Sequence, residues 1–159
     1  MTRVLYTVLA CAAFLVMLTG TKRRPMREAG SIPKLTIPST TGWTEHRAGI
    51  RFLAPPHVTI TPAETPQGLR FSFAGEPELM FGPVDLVQVR SYYQKDYLMF
   101  DAPDAVIALE ERGGADECRA AACTTRTVDG APLCLDIRTT PFAHCADLVA
   151  LVRSIEPLP

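Results

Sequence analysis

Four cysteines, Cys118, Cys123, Cys134 and Cys145, stand in the last quarter of the 159-residue chain with the spacing C-x4-C-x10-C-x10-C. Thiols in such a group bridge one another, hold a metal or exchange electrons. Structural zinc sites present paired knuckles with two to four intervening residues. Only Cys118 and Cys123 come near that spacing, with His144 beside Cys145 as an extra ligand. There is no C-x-x-C pair, the usual mark of a dithiol redox centre. The spacing therefore predicts two structural disulfides and a domain facing an oxidising compartment.

The remaining reactive residue types form no motif. His46, His57 and His144 are scattered without ligand spacing and read as surface or loop residues. Ser72 and Ser91 lack the G-x-S-x-G setting of a nucleophile elbow. Glu110, Glu111, Asp116 and Glu117 flank Gly113 and Gly114, but the spacing is not that of a calcium loop and reads as a solvated turn. No phosphate loop or dinucleotide fingerprint is present. The expectation is therefore a non-enzymatic domain with no catalytic residues, no metal and no cofactor. Tyr92, Tyr93, Tyr97 and Phe100 make an aromatic cluster. Tyr93 and Tyr97 are expected in the core. Tyr92, pointing elsewhere, is expected on a binding surface together with Trp43, where the domain opens.

Residues 4–20 carry no charge and, as a helix, would span roughly 25 Å, the short end of what crosses a bilayer. They read as a signal peptide or an uncleaved anchor, and the lack of an A-x-A site tilts the reading towards the anchor. Val8, Leu9, Ala10 and Cys11 resemble the lipobox of bacterial lipoproteins, which makes Cys11 a lipidation candidate. Lys22, Arg23, Arg24 and Arg27 follow the run, a distribution that tends to keep the following segment in the cytoplasm. The cysteines place the domain outside, and that orientation is preferred. Sixteen Lys and Arg against seventeen Asp and Glu give a formal net charge of −1. Without a basic stripe in the body of the chain, nucleic acid is not expected as a partner.

Residues 21–42, with Pro25, Pro33 and Pro38, read as a linker, leaving 43–159 as one domain. Strands are expected at 49–54, 58–61, 68–74 and 78–81, the third alternating Leu69, Phe71 and Phe73 on one face. Leu86, Val89, Tyr93 and Tyr97 lie on one helical stripe behind the N-cap Asp85, with a strand over 86–89 as the competing reading. Residues 105–109 read as a buried strand after a turn at 102–104. Asp129 and Gly130 signal a type I′ hairpin between 121–128 and 131–139. Thr140 and Pro141 predict the cap and first position of a C-terminal helix carrying Phe142, Cys145, Val149 and Val152. A two-residue turn would set Thr125 opposite Cys134 with Cys123 on the same face, and a Cys134–Cys145 bridge would tie the last helix to the hairpin. Of the three connectivities that four cysteines permit, this one leaves Cys118–Cys123, which needs a turn near Cys118.

The strand 49–52 followed by prolines, and the strand–hairpin–helix ending through residues 148–155, resemble the PsbP-like superfamily over residues 43–159. That resemblance implies an α+β fold, an antiparallel sheet with two packed helices, here preceded by an N-terminal apolar helix. It also implies a binding or assembly factor with no shared catalytic residues. The expected function is an exported or membrane-tethered domain that binds another protein of the cell envelope, with membrane contact through residues 4–20. The alternative is a small-ligand or metal-binding module of the envelope, using the aromatic cluster or the acidic Gly113–Gly114 loop.

Overall fold

A computed structural model describes residues 35–73, 77–93, 97–109 and 117–158. The apolar run 4–20, Cys11 and residues 21–34 lie outside the described residues, as does the acidic loop except for Glu117. Among the described residues no helix is long and apolar enough to cross a membrane.

The described chain is mixed α/β, with two helices and antiparallel strands in three sheets. β1 (Thr44–Arg47) pairs with β2 (Ile50–Ala54), whose other edge receives β10 (Glu156–Pro157) from the end of the chain. Between β1 and β2, Gly49 has φ 70°, and a Cβ there would meet the Pro66 ring at 3.0 Å, so only glycine fits the turn. β3 (Val58–Thr61), β4 (Arg70–Phe73) and β5 (Leu79–Met80) form the second sheet. β6 (Leu98–Ala102), β7 (Ala105–Leu109), β8 (Glu117–Cys123) and β9 (Cys134–Pro141) follow one another as a four-stranded meander.

Both faces of that meander are covered, which explains why β7 is apolar throughout and β8 carries Ala120, Ala121 and Ala122 in succession rather than alternating. The small alanines leave room for a helix on each side. On one face α1 (Leu86–Tyr92) and the adjoining Tyr93 set Val89 and Tyr93 against Val106, Ala108 and Ala121. On the other, α2 (Phe142–Arg153) lays Leu148, Leu151 and Val152 into the main core with Ile107, Leu135 and Ile137. Phe52, Phe71 and Phe73, from the two smaller sheets, complete that core.

Several local expectations change. α1 begins where Asp85 caps it, its carboxylate accepting from the Val87 and Gln88 amides at 2.9 and 3.1 Å. It ends at Tyr92, so Tyr97 lies beyond it at the start of β6, half-buried against both cores. β1, β6 and β10 are strands beyond those the sequence pattern predicts. Leu35 and Ile37, expected in the linker, pack against the main core, and the Leu35 amide donates to the Met99 carbonyl. Thr140 and Pro141 both lie in β9, and Pro141, not Thr140, takes the N-cap position of α2, which has no side-chain cap.

Candidate functional site

β8 places Cys118 on the face that α2 covers, with Ala120 and Ala122, and Cys123 on the face that α1 covers. The pairing follows from those faces. Cys118 bonds Cys145 in the second turn of α2, both wholly buried, with Cα atoms 6.6 Å apart. Cys123 bonds the directly opposed Cys134 across the β8–β9 ladder, with Cα atoms 4.1 Å apart. The Cys123 amide donates instead to the Asp104 carbonyl on the other side, as expected for the closer, non-hydrogen-bonded class of cross-strand pair.

The expected pairing is thereby corrected. Cys118 and Cys123 share one extended strand and point to opposite faces, so they cannot meet. Cys134 faces away from α2, out of reach of Cys145. The hairpin register moved the partners. Asp129 and Gly130 form the I′ turn, with φ of 54° and 84°, and Val128 pairs Ala131. Beyond it, residues 124–127 oppose only 132–133, because Pro132 has no amide to extend the ladder. The buried Thr124 hydroxyl closes the irregularity, donating to the Arg126 carbonyl and accepting from the Leu133 amide. Cys123, rather than Thr125, ends up opposite Cys134.

A second cluster joins two of the histidines. A turn closed by the Val58 amide donating to the Pro55 carbonyl holds His57 behind Pro56. His144 and Asp147 stand three residues apart on α2, hence on one face. His57 Nε2 lies 3.1 Å from Asp147 Oδ2, and the two imidazole centroids are 5.4 Å apart. Phe73 backs both rings, at 5.6 Å from His144 and 6.2 Å from His57. A register shift between β8 and β9 turns Thr140 back to the α2 face, where its hydroxyl meets His144 Nδ1 at 3.1 Å. The Asp147 side chain is only 15% exposed. Burial pushes its carboxyl above the ordinary value, against the opposing pull of His57 and His144. The i, i+3 spacing of His144 and Asp147 was legible in the predicted helix. The approach of His57 was not, since it depends on pairing β3 with β4. His46 lies apart, its ring against Phe52.

On the α1 side Arg119 forms a two-pronged pair with Asp136, at 3.1 and 2.9 Å, and hydrogen-bonds Tyr93. Burial opposes the Arg119 charge, but Asp136 and Tyr93 together hold its pKa above the usual value. α1 exposes Val87 at 73% and Tyr92 at 75%, with the Tyr92 ring edge-on to Tyr93. Trp43, the other expected surface residue, is half-buried against the main core. Comparisons with protein-family models, with curated proteins and with solved structures give no match to this chain.

Proposed function

We propose that this chain is exported, tethered through residues 4–20 or released, and that its disulfide-braced domain binds another protein of the cell envelope. The observation that carries the reading is the pair of apolar side chains that α1 exposes. Val87 and Tyr92 project from a capped helix whose inner residue, Val89, is fixed against the sheet. Two exposed apolar side chains on a rigid element supply contact area at low ordering cost, Tyr with a polar tip besides. The two disulfides fit an oxidising location. The likeness to the PsbP-like superfamily belongs to this proposal too. Its support is β2 followed by Pro55 and Pro56, together with the β8–β9–α2 ending.

A photo-crosslinking residue placed at position 92 or 87 of the full-length protein in its native cell tests the reading. The expected result is one recurrent protein adduct from both positions and none from exposed Thr59 on β3. Equal adducts from all three, or none from 92 and 87, would contradict it.

A further inference from the structure

We infer that β1 is a dimerisation edge, to which a second copy of this chain adds its own β1 antiparallel, joining two three-stranded sheets side by side. β1 stands at the end of its sheet, and among the described residues no strand pairs with its outer side. The hydrogen-bond parity of the β1–β2 ladder decides which backbone groups that side offers. The Ala48 amide donates to the Ile50 carbonyl, which makes Arg47–Arg51 and, two residues on, Glu45–Leu53 pairs of the non-hydrogen-bonded class. Leu53 agrees with this parity. Its amide donates to the Ser154 hydroxyl and its carbonyl accepts from it, so neither is bonded to β1. The amides and carbonyls of Glu45 and Arg47 therefore point out of the sheet edge, a template for another strand.

The side chains choose the strand that fits. His46 turns its ring onto Phe52, so Glu45 and Arg47 share the opposite face, where both are exposed. Within the strand Arg47 Nε donates to Glu45 Oε1 at 2.8 Å. About a two-fold axis through His46, perpendicular to the sheet, Glu45 falls opposite Arg47 of the second copy and Arg47 opposite its Glu45. Both positions have outward-pointing backbone, so both pairs exchange their hydrogen bonds while the charges alternate in sign around the axis. A two-residue slip either way sets Glu45 against Glu45 or Arg47 against Arg47, which repel. The edge is thus its own complement under two-fold rotation, the condition for an isologous dimer. Edge strands guarded against pairing carry charge that a copy of themselves repels, whereas β1 carries both signs at the spacing that attracts one.

The test is sedimentation of the full-length protein in a density-matched nonionic detergent from about 10 µM to about 1 mM, the range in which so short an interface assembles. The wild-type chain should pass from monomer to dimer. Glu45→Arg makes the edge wholly positive and Arg47→Glu wholly negative, so each alone should associate at least about tenfold more weakly. An equimolar mixture of the two should recover the dimer. Glu64→Arg, the same change of charge at an exposed position off β1, should leave association unchanged. The melting midpoint of each variant reports whether it is folded. A wild-type chain that stays monomeric throughout would overturn the inference and leave β1 to a different protein or to solvent. A dimer that survives both charge reversals would overturn it too, assigning association to another surface, and so would a mixture of folded variants that stays monomeric.

Discussion

Asp104, in the turn between β6 and β7, receives both Arg153 prongs at 2.8 Å and so ties the end of α2 to the meander. The Arg153 guanidinium holds the Asp104 carboxyl below its ordinary value. A carboxyl whose folded pKa is lowered adds stability that is fully present above the unfolded value and is lost as pH falls through the folded one. Asp104→Asn should therefore lower the melting midpoint at pH 7 and flatten its decline below about pH 4, where the wild type should fall more steeply. Parallel wild-type and variant curves down to pH 2 would show that the pair contributes nothing. At this scale the sequence disclosed residue types but not partners. The cysteines were legible as bridging residues because four thiols in a short stretch have few other uses. Asp104 with Arg153 and His57 with Asp147 were illegible, because each joins segments far apart in the chain.

A strong local signal makes an element legible, though not its bounds, and an element made by pairing alone carries no such signal. β2, β3 and β7 were legible from alternation or continuous apolar runs between prolines and turns. The Asp129–Gly130 turn is legible because both residues must take positive φ, yet the register beyond it is not, since a two-residue turn alone does not announce the surplus at 124–127 that the Thr124 hydroxyl closes opposite Pro132. β1 has the sequence of a polar edge, with charged Glu45 and Arg47 beside His46, and carries no apolar alternation. β6 begins just past the predicted helical stripe, which Tyr97 carries too far because it falls at helical spacing from Tyr93 although α1 has already ended. β10 is a two-residue pairing that exists only because β2 offers it an edge. The turn itself offers an element-scale test. Nothing lies within 4 Å of a Cβ added at Gly130, so Gly130→Ala carries only the backbone cost of φ 84°. That substitution should destabilise the domain by about 1–2 kcal/mol in denaturant unfolding. No loss would mean that the hairpin tip does not hold the I′ geometry.

Over the whole molecule the two bridges act on different layers. Cys118–Cys145 fastens α2 to β8 through the main core, while Cys123–Cys134 locks β8 to β9 on the face towards α1. Their sequence separations are 27 and 11. In the chain-entropy model, removing the first should cost about 3.5 kcal/mol and the second about 3 kcal/mol. Paired Cys→Ala replacement, followed by denaturant unfolding, checks both the magnitudes and their order. Both helices are legible in periodicity, whereas the mixed α/β class with an antiparallel sheet is what the resemblance implies and, at one point, what the I′ turn signals. The division into three sheets is not legible, because sheet membership is decided by which strand edges meet. The address of the domain rests on these disulfides more than on any other feature, so their linkage is the most direct test. Full-length protein from its native cell would be alkylated without reduction, digested, and its linked peptides identified by mass spectrometry. The account predicts Cys118 linked to Cys145 and Cys123 linked to Cys134, with none of the four alkylated. Four alkylated thiols, or a Cys134–Cys145 link, would contradict it.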